Sequence, residues 1–209
     1  MTCDLPDIGR SEARLRGFYE AGIECLDSAW RPALLEEGFD WASPELKLAA
    51  GPSQCGEPPD EDSATAFYCS GTIFMPRERV LGDLGVASRS HLAVLAHEYG
   101  HHVQGRSRVL RAVAVRTGEL GENDPKRLEI NRRTELQAEC FAGLFLGGAP
   151  ERGLVESLSE KEISAVNRST VGSDTHGTRG NQQEWFHRGI EGDGPEACNT
   201  WSAPASQVR

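Results

Sequence analysis

Apolar residues recur every three or four positions in several segments of the chain, which is the spacing of helices that bury one face. The predicted helices cover residues 10–30, 88–104, 131–146, 159–171 and 179–190. Ser11 is the predicted N-cap of the first helix and Pro32 its predicted stop. The second helix has the clearest apolar stripe, formed by Leu92, Leu95, Ala96, Tyr99 and Val103. The third ends at a glycine-rich stop, Gly147-Gly148-Ala149-Pro150.

Strand patterns are confined to the first half of the chain. Ala66–Cys69 and Thr72–Met75 flank Ser70-Gly71, which predicts a β-hairpin with a two-residue turn. Pro44–Leu48 predicts another short strand. We therefore predict an α+β fold, with a small antiparallel-edged sheet in the N-terminal half and a mostly helical C-terminal half. The length of 209 residues and the lack of internal repeats predict a single domain over residues 1–209.

Charge and hydropathy exclude several classes of partner. The chain has 22 basic and 32 acidic residues, a net charge of -10, which disfavours nucleic acid and anionic membrane surfaces. No apolar run approaches the roughly 18 residues that a membrane span needs, so we predict no membrane-spanning segment. The first ten residues lack the basic and apolar regions of a signal peptide, so we expect any targeting segment to lie outside this sequence.

The cysteines indicate the compartment. There are six, none in a Cys-x-x-Cys pair: Cys3, Cys25, Cys55, Cys69, Cys140 and Cys198. An even number with wide spacing favours three disulfides in an exported, extracellular or cell-envelope protein, with six buried free thiols as the alternative. Of the 15 possible pairings, spacing favours Cys55–Cys69, because the Gly- and Pro-rich segment between them must turn back. Cys3–Cys25 and Cys140–Cys198 are the simplest completion.

An HExxH motif, formed by His97, Glu98 and His101, lies inside the second predicted helix. Residues four apart differ by about 40° around a helix axis, so both imidazoles can reach one Zn²⁺ at about 2.0–2.1 Å. Glu98, beside the first histidine, can accept a proton from a metal-bound water and act as general base. We expect Gly100 to keep the helix surface low near the metal. The alternative is a pair of surface histidines.

A catalytic zinc needs a third protein ligand and an open position. Glu135 and Glu139 lie four residues apart on the third predicted helix and share a face. One of them can bind the metal, and the other can accept the free ring N–H of a ligand histidine. The alternative for such a pair is a solvated helix surface.

The motifs together resemble those of the bacterial neutral zinc metallopeptidases, which are gluzincin-like zinc proteases. The resemblance spans roughly residues 12–200 and rests on HEYGHHVQ, ELQAEC followed by FAG, His176-Gly177-Thr178 and Trp185-Phe186. It implies a zincin-like fold in which the zinc ligands are His97, His101 and Glu135. It also implies that Glu98 is the general base and that Glu139, where Asp is more usual, contacts the first histidine.

The remaining site candidates are a histidine and a tyrosine. A developing oxyanion needs a hydrogen-bonding or positive partner besides zinc, and either His176 or Tyr68 can supply it. A structural, loop-capping role is the alternative for His176. His102 lies about 100° beyond His101, so we predict a structural role for it. We interpret His91 and His187 as surface or packing residues.

These observations predict a zinc-dependent peptidase whose hairpin supplies an edge strand for an extended peptide or protein substrate. Two alternatives remain open at this point. One is a non-catalytic, zinc-stabilised module that binds peptides or a cell-envelope protein. The other is a zinc hydrolase with a different substrate. Glu98 favours catalysis, because a purely structural zinc site does not need a general base.

Overall fold

The computed structural model describes residues 3–60, 64–148 and 172–209. In these ranges it contains six α-helices, a three-stranded sheet and two short 3₁₀ helices. In chain order the elements are α1 (Glu12–Glu36), β1 (Glu45–Lys47), β2 (Phe67–Cys69), β3 (Thr72–Phe74), α2 (Arg77–Leu84), α3 (Ser88–Arg106), α4 (Val109–Thr117), α5 (Pro125–Gly147), α6 (Arg179–Glu191) and the 3₁₀ helices Pro195–Cys198 and Ala205–Gln207. The α+β class is confirmed, and the predicted helix at 159–171 lies outside the described residues.

Helix α1 begins as predicted but ends later. The Ser11 side chain accepts a hydrogen bond from the Arg14 N–H and caps the first turn. The predicted stop at Pro32 is wrong, because the helix continues to Glu36. Proline removes one helical N–H, but Trp30 and Leu34 on either side of it are both buried in the core. Their burial keeps the last turn helical.

The sheet is mixed, in the order β1-β3-β2. β2 and β3 form the predicted antiparallel hairpin, and Ser70 and Gly71 in its turn both have positive φ, 45° and 89°. Positive φ at both turn positions gives the twist that suits a two-residue hairpin. β1 pairs parallel to β3, so the predicted antiparallel edge is correct for β2 and wrong for β1.

Helix α3 lies at the centre of the molecule. Its predicted apolar stripe is buried, with Leu95 and Tyr99 completely inaccessible to solvent. The sheet packs on α3 where the Tyr68 ring meets the ring of His102 edge-on, with centroids 5.7 Å apart. Gly100 has a different role from the one predicted: a Cβ there would lie 2.9 Å from the Ala138 carbonyl oxygen. Its lack of a side chain therefore lets α3 approach α5 closely.

Helix α5 starts earlier than predicted, at an N-cap that the sequence pattern missed. The Asp124 side chain accepts from the Lys126 N–H, and Pro125 occupies the first helical position. α2 and α4 were not predicted either. α5 also packs closely on α6, since a Cβ at Gly143 would overlap the Phe186 backbone. Thr178 is the N-cap of α6, so residues 173–177 lie directly before this helix.

Three disulfides confirm the Cys55–Cys69 bond that spacing favoured and the two bonds given as its simplest completion. Cys3–Cys25 fastens the N-terminal segment to α1, Cys55–Cys69 fastens the loop before the hairpin to β2, and Cys140–Cys198 joins α5 to the first 3₁₀ helix. No cysteine is free. Within the described ranges, no helix has both the length and the hydropathy of a membrane span.

Candidate metal centre

Helices α3 and α5 bring together the three predicted metal ligands. His97 and His101 lie one turn apart on α3, and Glu135 faces them from α5. The Glu135 Oε2 atom is 3.4 Å from His97 Nε2 and 3.2 Å from His101 Nε2. One ligand atom from each residue lies within 4.8 Å of the other two. Two nitrogens and one oxygen therefore converge on one point between the helices.

The spacing of these atoms suits a tetrahedral ion. Ligand atoms at about 2.0–2.1 Å from a tetrahedral zinc lie about 3.3–3.4 Å from each other. The two contacts of Glu135 Oε2, 3.4 and 3.2 Å, are close to that length. The three side chains are between 13% and 22% exposed, so the centre is not fully sealed from solvent.

Each ligand histidine is held by a hydrogen bond at its other ring nitrogen. His97 Nδ1 lies 3.0 Å from Glu139 Oε2, as predicted for Glu139. His101 Nδ1 lies 2.9 Å from Gln104 Oε1, a partner that the sequence reasoning missed. Because both acceptors are oxygens, each Nδ1 donates a ring proton to its partner, and each Nε2 would present its lone pair to a metal bound at the centre.

The charges of the site favour a cation. Burial by itself raises the pKa of Glu135, but His101, His97 and His176 outweigh burial and hold that pKa well below its usual value. Burial opposes protonation of His97, yet Glu135 and Glu139 raise the pKa of His97 well above its usual value. The pKa of His101 is raised despite burial, mainly by Glu135. The carboxylates thus stabilise positive charge at the point where the ligand atoms converge.

Glu98 adds a further buried carboxyl group beside the ligands. The residue is only 6% exposed. Burial raises the pKa of Glu98, the nearby His97 and His101 rings oppose this rise, and Glu135 adds to it. Glu98 is therefore electrostatically coupled to all three ligand residues.

His176 reaches the same centre from the loop before α6. A pair of backbone hydrogen bonds between Ser173 and Gly177 closes this loop. His176 Nε2 lies 3.4 Å from Glu135 Oε2, and its side chain is 48% exposed. Its Nδ1 lies 3.1 Å from Ser173 Oγ and 3.0 Å from Thr175 Oγ1. His176 thus contacts the predicted third ligand, with about half of its own side chain exposed to solvent.

Comparison with known proteins identifies the family. The family model described as "Putative neutral zinc metallopeptidase" matches residues 34–201. The chain belongs to this family.

Two relatives illustrate how far the similarity extends. The uncharacterized protein YpfJ of Escherichia coli (strain K12) is 27% identical over 219 aligned residues, which cover 93% of this chain and 74% of YpfJ. The uncharacterized protein Rv2575 of Mycobacterium tuberculosis (strain H37Rv) is 30% identical, with 85% of this chain and 68% of Rv2575 covered. No solved structure matches the chain. The zinc of the family's description agrees with the donor set of two imidazoles and a carboxylate.

The other candidate residues have structural partners. Tyr68 is used within its own hairpin, where its hydroxyl accepts the Gly71 N–H at 2.8 Å. His102 is buried and its Nε2 donates to the Ala42 carbonyl at 2.7 Å, which confirms a structural role. His91 is also buried, 2.5 Å from the Tyr19 hydroxyl, which confirms a packing role. His187 is half-buried on α6.

Sequence reasoning missed Gln104 and its neighbour Gln137. Both amides are buried and hydrogen-bonded to each other across the α3–α5 contact. A signal was present in each case. Gln104 lies three residues after His101 and so shares its helical face, whereas Gln137 lies two residues from both Glu135 and Glu139, on a different face of α5, and its only signal is that it lies within the same motif.

Proposed function

We propose that the protein is a zinc-dependent peptidase that hydrolyses peptide bonds, with His97, His101 and Glu135 as zinc ligands and Glu98 as general base. The observation that carries this proposal is the convergence of three ligand atoms next to a carboxyl group, Glu98, that zinc binding alone does not need. The family description supports the same chemistry.

Each side chain has a separate task in this proposal. Zinc bound here supplies a Lewis acid that polarises a peptide carbonyl and lowers the pKa of water. Glu98 accepts a proton from the attacking water and returns it to the leaving amine. Glu139 holds the His97 ring by accepting its Nδ1–H. Glu135 is the third ligand, contributed by α5, and its carboxylate balances part of the charge of the bound zinc.

We assign His176 the role of a hydrogen-bond donor to the oxyanion. Ser173 Oγ accepts the backbone N–H of His176, so the Ser173 hydroxyl proton is available to His176 Nδ1. An Nδ1 that accepts leaves the ring proton on Nε2, which faces Glu135. This ring is therefore set as a donor, whereas zinc binding by His97 and His101 requires the lone pair of each Nε2. A donor at the solvent side of the centre suits a negative charge that develops on substrate.

The sheet suggests where a substrate lies. β3 is paired on both sides, so β2 provides the free edge of the hairpin. We propose that an extended peptide adds to this edge in a zincin-like arrangement, with the sheet beside the helix that carries HExxH. The three disulfides support a site of action outside the reducing cytoplasm, in the cell envelope or beyond it.

The decisive variant is Glu98→Gln, tested on denatured casein and on a peptide library with zinc-loaded protein. We expect unchanged zinc content and unfolding temperature, and a rate reduced about 10²–10⁴-fold by loss of the general base. Glu122→Gln is the matched control, because Glu122 is exposed, and it should cleave at the parent rate.

Two outcomes would change the proposal. Cleavage by Glu98→Gln at the parent rate would show that Glu98 is not the general base. A zinc-loaded parent that binds peptides but cleaves none across the pH range would favour the non-catalytic binding module instead.

A further inference from the structure

The amide of Gln104 connects the two helices that carry the metal ligands. It lies on α3, one turn after His101, and is completely buried. Its Oε1 faces His101 Nδ1 at 2.9 Å. Its Nε2 donates to the Thr134 carbonyl at 2.8 Å and to Gln137 Oε1 at 3.1 Å. One side chain therefore contacts a ligand on α3 and, on α5, the backbone immediately before the ligand Glu135.

The surrounding acceptors fix the orientation of this amide. The Thr134 carbonyl can only accept, so the NH₂ group of Gln104 must face it. If the amide were reversed, its oxygen would lie against the Thr134 carbonyl and the His101 proton would lose its acceptor. The network thus assigns Oε1 to His101 and keeps the His101 ring proton on Nδ1. His101 Nε2, which lies 3.2 Å from Glu135 Oε2, can then bind a metal through its lone pair.

The far end of the network is anchored covalently. Gln137 Nε2 donates to the Cys198 carbonyl at 3.2 Å. Cys198 is joined by a disulfide to Cys140, which lies one turn after Gln137 on the same helix. The disulfide therefore ties the residue whose carbonyl orients Gln137 to α5. Gln137 in turn presents its Oε1 to Gln104.

We propose that Gln104 is a positioning residue of the metal centre. It sets the tautomer and the ring orientation of His101 and holds the Glu135 segment of α5 at the matching distance, with Gln137 and Cys198 as its support. This inference rests on the proposed zinc site. It differs from the role of Glu139, because Gln104 is neutral and holds His101 without adding charge to the centre.

The test is Gln104→Met, which keeps the length of the side chain and removes both hydrogen-bonding groups. Zinc affinity is measured by competition with a chromophoric chelator, and the visible spectrum of the cobalt-substituted protein reports ligand geometry. We expect a zinc dissociation constant raised about 10–100-fold and shifted cobalt bands. Tyr19→Phe is the control, since it removes a different buried hydrogen bond, that to His91. It should lower the unfolding temperature and leave the zinc dissociation constant and the cobalt spectrum unchanged.

The outcomes separate this inference from the proposed function. Parent zinc affinity and an unchanged cobalt spectrum in Gln104→Met would overturn the positioning role, even if the parent cleaves peptides. A parent that binds zinc and cleaves nothing would remove the peptidase proposal alone. If Gln104→Met does not fold, nitrogen-15 NMR of the zinc-loaded parent decides. A slowly exchanging proton on His101 Nδ1 supports the inference, and exchange as fast as in an exposed imidazole overturns it.

Discussion

Helix α3 carries two histidines on each of two faces, and the pKa values of the two pairs are shifted in opposite directions. On its metal face, His97 and His101 meet carboxylates of α5, and their pKa values are raised. Elsewhere on the same helix, His91 and His102 are buried and hydrogen-bonded to neutral groups, and burial lowers their pKa values. The neighbouring elements decide which histidine can share a site with a cation, because the helix itself is common to all four.

The partners explain the difference physically. Glu135 and Glu139 bring negative charge to the metal face, which stabilises either an imidazolium or a metal ion. On the interior side, His91 meets the Tyr19 hydroxyl and the Gly85 carbonyl. Those groups satisfy the ring without supplying charge, so the neutral form is favoured. We therefore expect the removal of charge from the metal face to weaken zinc binding. We expect the removal of a contact from the interior side to lower the free energy of unfolding.

The largest expected effect is that of Glu135→Ala. This change removes a ligand and most of the negative charge that the two imidazoles share, so we expect loss of stoichiometric zinc. Glu139→Ala leaves the three ligands in place and removes the acceptor of His97 Nδ1 together with its negative charge, so it should weaken zinc binding about 10–100-fold. Glu129→Ala, on the same helix and paired only with Arg133 among the ion pairs of the described chain, is the control. Zinc is measured by atomic absorption after dialysis.

Full zinc retention by Glu135→Ala would show that Glu135 is not the third zinc ligand. Glu139 would then be the first alternative. Zinc loss in Glu139→Ala as complete as in Glu135→Ala would point to the same exchange of roles.

A smaller effect is expected on the interior side, from His91→Leu. Loss of the ring leaves the buried Tyr19 hydroxyl without this partner, which should lower the free energy of unfolding by about 1–3 kcal/mol. Zinc affinity should not change. The check is urea denaturation of the zinc-loaded protein together with the chelator competition. Weaker zinc binding in His91→Leu would mean that the two faces are coupled.

The pH dependence of stability is the second readout for His91. Its pKa is lowered on folding, so the unfolded chain takes up a proton first as the pH falls through about 6.5. Stability is therefore lost from that pH downward, and this loss stops below the folded-state pKa. His91→Leu should lack this part of the pH dependence. An identical pH profile for parent and variant would show that His91 contributes none of it.

Sequence patterns correctly predicted the features that depend on residues close together in the chain. Ser11 as a cap, Ser70-Gly71 as a turn and the apolar stripe of α3 are all confirmed. Pro32 was misjudged because the burial of Trp30 and Leu34, a tertiary effect, offsets the missing N–H. β1 was placed correctly, but its parallel pairing depends on the path of the chain and not on its own residues.

In the candidate site, too, local sequence predicts some features and tertiary packing determines the others. Helical spacing predicts that His97 and His101 lie together, and the structure brings Glu135 to them across the α3–α5 contact. Gly100 was assigned to the metal, whereas it serves the close approach of the helices. Gln104 was missed because a glutamine acquires a role only through its partners, and two of its three partners, Thr134 and Gln137, lie on another helix.

The most direct test of the account is an anomalous difference map at the zinc edge from crystals of the zinc-loaded protein. The account predicts one peak bound by His97 Nε2, His101 Nε2 and a Glu135 oxygen, each at about 2.0–2.2 Å. A peak at a different set of side chains, or the absence of a peak between α3 and α5, would contradict it.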